Sequence, residues 1–296
     1  MNEQLLKFLD GDETLYPREL EQHFPRILNQ IAELWNTPDM EAYFQELMLG
    51  HRGETRQGFQ TDIASEIFTL YGVYTKQHFR PDTNVWSDVP DLKRQELEYL
   101  GYDLSPKGFS KAVEAGSDAA VRLFLSFGVD VNVRDERDWT PLMSASFNGN
   151  EEMAALLIRC GAKIHAEDRT GYTSLHWAAF NGHTAVVKML IAKGANVDAR
   201  SQFGWTPLMQ ASTRGHVKVV EILLARGTAV NDRTQDGWTA LHKAAANGHA
   251  EIVMMLLDKG ADLTIEYPDG STAYSLADKN GHVKIARILS IYRNKI

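Results

Sequence analysis

The sequence repeats at an interval of 33 residues, and this period constrains the fold more than any other feature. Six segments keep the register without a break. One glycine recurs in all six, at Gly116, Gly149, Gly182, Gly215, Gly248 and Gly281. A period between about 20 and 50 residues is typical of a solenoid, in which each unit contacts its neighbours and the array presents a surface to a partner. The period therefore favours a binding protein over an enzyme.

Each unit reads as two helices followed by an extended hairpin. In the unit that opens at Gly171, Thr173 stands where a helix N-cap is needed, and its hydroxyl can accept a hydrogen bond from a free backbone N–H. Gly182 then ends a short first helix. The apolar residues that follow have helical spacing and form the stripe of a second helix: Val186, Val187, Leu190 and Ile191. The pattern predicts helix, turn, helix and hairpin.

These residues resemble the ankyrin repeat. A Thr-Pro-Leu-His-like opening and a Gly-His turn recur in register over residues 105–296, about two thirds of the chain. The resemblance implies an all-α fold, an ankyrin-repeat solenoid of six units including two caps, preceded by a small helical domain at residues 1–104. We expect the units at about 105–137, 138–170, 171–203, 204–236, 237–269 and 270–296, and we number them repeats 1 to 6.

Histidine is frequent in this chain, but the repeat accounts for most of it. Six of the ten histidines occupy two repeat positions, His176 and His242 in one, and His183, His216, His249 and His282 in the other. The resemblance implies that these six rings form hydrogen bonds within and between units. The remaining four show no metal-ligand spacing: His23, His51, His78 and His165. We therefore expect no metal site, no cofactor and no catalytic residue in the repeats.

The resemblance also implies a partner-binding groove, formed by the hairpin tips and the first helices. The residue after the opening position is aromatic in four consecutive units, although the fold does not require an aromatic ring there. Aromatic residues and arginine often anchor interfaces. The candidate partner-binding residues are Trp139, Tyr172, Trp177, Phe180, Trp205, Trp238, Phe147, Arg214, Lys243, Arg200 and Arg233. The alternative is that the rings only pack against one another and stiffen the array.

Residues 1–104 lack the 33-residue register and read as helices. Apolar residues from Leu20 to Trp35 have helical spacing, further helices are expected after Thr37 and Thr61, and another from Pro90 to Leu100. This part resembles no family. An alternative function is therefore an enzyme or effector whose activity lies in residues 1–104, in the loop that carries His51, Arg52 and Arg56. A structural or oligomer-forming role is a third possibility.

Charge and composition narrow the setting. The net charge of −8 divides into −10 for residues 1–104 and +2 for residues 105–296, which argues against a nucleic-acid partner. Because no run of about 18 apolar residues occurs and Met1–Gln4 lack a secretory start, we expect neither a membrane span nor secretion. A single cysteine, Cys160, fits a reducing compartment. We expect a cytoplasmic, non-enzymatic adaptor for a protein partner, monomeric or weakly oligomeric.

Overall fold

A computed structural model gives the architecture of most of the chain. It describes residues 2–10, 12–37, 39–40, 91–135, 137–267 and 270–293, with Tyr43, Phe44, Leu47, Glu66, Ile67, Leu70, Val73 and Tyr74. The loop with His51, Arg52 and Arg56, the helix start at Thr61 and Pro90 lie outside the described residues. The chain divides into two compact units, an N-terminal unit of Met1–Asp135 with Ala155–Lys163 and a C-terminal unit of Glu136–Ala154 with Ile164–Ile296. The domain boundary after residue 104 follows the sequence register, not compactness, and stays a prediction.

The N-terminal unit is helical throughout its described part. Its helices are Glu3–Phe8, Arg18–His23, Pro25–Leu34, Asp91–Tyr99, Pro106–Glu114 and Asp118–Ser126, with a 3-10 helix at Glu13–Leu15. The apolar stripe expected between Leu20 and Trp35 faces inward, and Trp35 is fully buried. The indole of Trp35 stacks on Phe8 with ring centroids 5.5 Å apart and meets Tyr74 edge-on at 5.7 Å. These rings anchor a hydrophobic core within the first 74 residues.

Repeats 2 to 6 each contain the two predicted helices. The first helices are Pro141–Asn148, Ser174–Asn181, Pro207–Arg214, Ala240–Ala246 and Ala273–Lys279. The second helices are Glu151–Arg159, Thr184–Ala192, Val217–Ala225, Ala250–Asp258 and Val283–Arg293. Within the described ranges the β-type pairing is a single isolated bridge between Glu167 and Thr173. The predicted all-α solenoid is confirmed.

The helix ends follow from local sequence. The hydroxyl of Thr206 accepts a hydrogen bond from the backbone N–H of Met209 at 3.3 Å, and Pro207 occupies the first turn, where its missing N–H costs nothing. Gly215 ends this helix at a φ of 80°, which is left-handed backbone that favours glycine. Asp138, which takes the place of the opening glycine in repeat 2, also has a positive φ of 65°.

Neighbouring repeats are joined by their histidines. The Nε2–H of His183 donates to the carbonyl oxygen of Phe147 at 2.8 Å, and the same bond recurs 33 residues later between His216 and Phe180 at 2.9 Å. His176 accepts from the backbone N–H of Thr173 at Nδ1 and donates from Nε2 to the carbonyl of Trp205 at 3.0 Å. These bonds confirm the structural role that the resemblance implied for the repeat histidines.

The first helices of consecutive repeats lie side by side in the C-terminal unit, and from Thr184 onward so do the second helices. Small residues allow the close approach of the first helices, because Ala178, Ala179 and Ala211 are completely buried between them. This packing places the outward side of the first helices and the loops before them on one surface. Across the described residues, no helix is long and apolar enough to cross a membrane.

Candidate partner-binding face

Seven aromatic side chains predicted to bind a partner lie in the C-terminal unit, along the first helices and the loops that precede them. We call this set the aromatic face: Trp139, Phe147, Tyr172, Trp177, Phe180, Trp205 and Trp238. Every one of these side chains is half-buried. The packing alternative therefore accounts for part of each ring's surface and leaves another part open to solvent.

Trp177 lies at the centre of the first five rings. Its indole centroid is 4.5 Å from that of Trp139, 5.3 Å from Tyr172 and 5.8 Å from Phe147. Phe180, one helical turn away, meets Trp177 edge-on at 6.1 Å. Tilted and edge-on contacts at these distances are the arrangements that aromatic pairs prefer. The sequence placed these residues in three different repeats, and the fold joins them into one continuous cluster.

The carboxylate of Asp168 fixes the orientation of Trp177. Asp168 is 7% exposed, and its Oδ2 accepts a hydrogen bond from Trp177 Nε1 at 3.2 Å. Its Oδ1 accepts from the backbone N–H groups of Thr170 at 2.8 Å and Tyr172 at 3.0 Å. A carboxylate with this many donors is well satisfied although buried. The central ring of the cluster is therefore held by the hairpin that precedes its helix.

Tyr172 connects this cluster to the next repeat. Burial raises the pKa of its phenol, and hydrogen bonds with Ser201 and Gln210 act in the opposite direction. The ring also meets the buried imidazole of His176 edge-on, with centroids 5.1 Å apart. Tyr172 thus combines a structural contact on its inner side with a partly exposed ring on the outer side.

The rings of Trp205 and Trp238 form a second group around Lys243. The ammonium of Lys243 lies 3.7 Å from the ring centroid of Trp238 and 4.7 Å from that of Trp205, so it makes cation–π contacts with both. Burial lowers the pKa of Lys243, and the nearby negative charge of Asp236 partly opposes this. Tyr267 packs on the Trp238 indole with centroids 4.9 Å apart. Lys243 therefore belongs to the aromatic face.

Two arginines cover the rings of the first group. The guanidinium of Arg214 lies 4.2 Å from the ring centroid of Phe180, and that of Arg137 lies 4.4 Å from the ring of Trp139. Both arginines are exposed. Guanidinium groups stack well on aromatic faces and keep their N–H donors free at the edge. The aromatic face is thus cationic as well as apolar.

The other two predicted arginines lie at the hairpin tips. Arg200 forms an ion pair with Asp232 at 2.9 Å and donates to the carbonyl oxygen of Arg233 at 2.6 Å. Arg200 is therefore engaged in holding one tip to the next. The side chain of Arg233 is exposed. Neither guanidinium contacts a ring of the aromatic face among the contacts that the structure describes.

Three contributors to this surface were not among the predicted site residues: Arg137, Asp168 and Tyr267. A signal for Asp168 was present, because Ser201 and Thr234 follow it at 33-residue intervals. The side-chain oxygens of Ser201 and Thr234 accept from the backbone N–H groups of Trp205 and Trp238, each at 3.0 Å, as Asp168 does from Tyr172. The register thus marks the polar residue that holds each aromatic residue in place.

The described residues contain no group of three or more His, Cys, Asp or Glu side chains arranged to hold a metal ion. The single cysteine, Cys160, is buried in the N-terminal unit, and desolvation raises the pKa of its thiol to about 12. A thiol with so high a pKa is a poor nucleophile, since the thiolate is the reactive form.

Comparison with known proteins agrees with the repeat. A family model described as "Ankyrin repeats (3 copies)" matches residues 109–201, 195–267 and 230–295. No curated protein matches the chain.

Proposed function

Because this chain belongs to the ankyrin-repeat family, whose members are generally protein–protein interaction modules, we propose that it is a non-enzymatic adaptor that binds a protein partner through the aromatic face. The observation that carries the proposal is the half-buried state of seven aromatic rings along one side of the first helices. Interfaces are commonly anchored by a few such residues. Each ring that a partner buries fully contributes about 1.5–3 kcal/mol.

The rigidity of the face also supports binding. Trp177 is oriented by Asp168, and Lys243 is held between two indoles, so these groups lose little conformational freedom when a partner binds. Preorganised side chains reduce the entropic cost of association. A surface of this kind suits recognition by shape and contact, without any chemical step.

The test is affinity capture with the double variant Trp177→Ala, Trp205→Ala, followed by titration of the captured protein. We expect the partner to be lost. The matched control removes two exposed apolar side chains from second helices, Met254→Ala with Val283→Ala, and should retain the partner. Met254 is 38% exposed and Val283 76% exposed. Retention of every partner by a folded Trp177/Trp205 variant would exclude the aromatic face as the binding site.

Trp177→Ala also removes the donor to buried Asp168 and so affects stability. Trp205→Ala alone is the second variant, because the recorded side-chain contact of Trp205 is with the flexible Lys243. We expect this variant to fold and to bind at least tenfold more weakly. Circular dichroism of each variant confirms folding before binding is measured, and light scattering of the wild type tests the oligomer-forming alternative directly.

A further inference from the structure

Two cations of the aromatic face are held on aromatic rings in consecutive repeats. Arg214 is the last residue of the first helix Pro207–Arg214 and lies 4.2 Å over Phe180. Lys243 lies in the next first helix, Ala240–Ala246, between Trp205 and Trp238. The rings fix the position of each charge more tightly than solvent would.

Neither cation has an acidic partner in the described part of the chain. The ion pairs there are His23–Glu19, Arg122–Asp118, Arg200–Asp232 and Lys218–Glu221. Arg200 shows that a cation of the same unit can be neutralised by a carboxylate from the neighbouring repeat. Arg214 and Lys243 are left with ring contacts alone, and their N–H donors remain available.

The charge of Lys243 is also costly where it lies. Burial lowers the pKa of its ammonium, which means that the site disfavours the charged form. A carboxylate brought to this position by a partner would favour the charged form and form a charge-assisted hydrogen bond. The surface therefore has a deficit of negative charge beside its apolar rings.

We propose that the partner's binding segment is acidic, with carboxylates that pair with Arg214 and Lys243 and an apolar side chain that covers the exposed part of the Trp205 indole. This inference rests on the proposed function and specifies the chemistry of its partner. Nucleic acid also carries negative charge and stacks on aromatic rings. However, the chain has a net charge of −8, and residues 1–104 alone carry −10, so a long phosphate backbone would be repelled.

The experiment selects binders from a displayed library of random twelve-residue peptides on the full chain. We expect the selected peptides to be rich in Asp and Glu next to an apolar residue. Their affinity should fall about tenfold for Arg214→Gln and for Lys243→Gln, as expected for a charge-assisted hydrogen bond. It should also fall as salt is raised from 50 to 500 mM.

Matched controls are Arg226→Gln and Lys259→Gln, which remove exposed cations at the C-terminal ends of the second helices in the same two repeats. Both should bind the peptides as the wild type does. A labelled dT oligonucleotide is the competing probe. Binding of the oligonucleotide that is lost in Lys243→Gln would overturn the inference in favour of nucleic acid.

The outcomes separate the inference from the function on which it rests. Neutral or basic peptides that bind and are lost in Trp205→Ala would refute the acidic segment and leave the aromatic face as a binding site. Acidic peptides that bind equally well to Trp205→Ala, Arg214→Gln and Lys243→Gln would refute both. Failure to select any peptide would count against the inference as well, because the rings and cations are already in place.

Discussion

His216 donates a hydrogen bond from Nε2 to the carbonyl oxygen of Phe180 at 2.9 Å, and its ring lies directly over Gly182. A Cβ on Gly182 would be 2.5 Å from Nδ1 of His216, closer than two heavy atoms can approach. One residue pair thus ties the end of one first helix to the start of the second helix in the next repeat. The same arrangement recurs at Gly149 with His183 and at Gly215 with His249.

Substitution of Gly182 by alanine should destabilise the C-terminal unit by about 3 kcal/mol or more. The left-handed backbone, with φ at 76°, costs about 1–2 kcal/mol for any residue with a Cβ, and the clash with His216 adds to this. Urea denaturation followed by circular dichroism measures the change in the free energy of unfolding.

Gly194 supplies the matched control for this effect. Its φ is 90°, yet a Cβ there would have nothing within 4 Å. Gly194→Ala should therefore cost only the backbone term. Equal destabilisation by the two substitutions would show that the contact between Gly182 and His216 does not contribute.

Acid should destabilise the repeats through His176. Burial lowers the pKa of this imidazole to about 4, against 6.5 for the model value, so the unfolded chain takes up its proton first as pH falls. Stability that is fully present above pH 6.5 is lost between about pH 6.5 and pH 4. The shift corresponds to a loss of about 2 kcal/mol between pH 7 and pH 5.

His176→Gln should reduce this pH dependence while lowering stability at neutral pH. Urea unfolding of both proteins at pH 7, 6 and 5 gives the comparison. His242, whose pKa burial also lowers, leaves a smaller residual slope in the variant. An NMR titration that placed the pKa of His176 above 6.5 would contradict the buried neutral ring.

Asp168 and Trp177 should show energetic coupling. Asp168→Asn turns an amide toward the indole N–H, so one buried donor loses its acceptor, at a cost of about 1–3 kcal/mol. Trp177→Phe removes that indole donor and keeps a ring in the cluster.

A double-mutant cycle on unfolding free energies measures this pair. We expect Asp168→Asn to cost less in the Trp177→Phe background than in the wild type. Strict additivity of the two changes would mean that the hydrogen bond between them is not formed in solution.

Cys160 should resist thiol reagents in the folded protein. Burial raises the pKa of its thiol to about 12, so almost no thiolate is present at pH 8, and the sulfur is shielded from solvent. Labelling with 5,5′-dithiobis(2-nitrobenzoic acid) should be slow in native buffer and immediate in 6 M guanidinium chloride. Rapid labelling without denaturant would indicate that the segment around Cys160 opens readily.

Much of the fold could be predicted because each repeat interacts mainly with its neighbours. A threonine N-cap, a left-handed glycine and a helical apolar stripe are local signals, and the 33-residue period repeats them. Even Asp138 in a glycine position was predictable from register, and it has the positive φ that the position requires. The six repeat histidines were correctly assigned to structural hydrogen bonds for the same reason.

The sequence by itself determined the helices, their order, the ankyrin family and the row of aromatic positions. Tertiary structure alone decided which rings meet Trp177, that Asp168 orients it, and that Arg200 pairs with Asp232 while Arg214 and Lys243 lie on aromatic rings. The physical reason is that a periodic pattern fixes backbone position, whereas the contacts of long side chains depend on rotamers and on residues one repeat away. For this chain, the chemistry of its binding surface depends on those contacts.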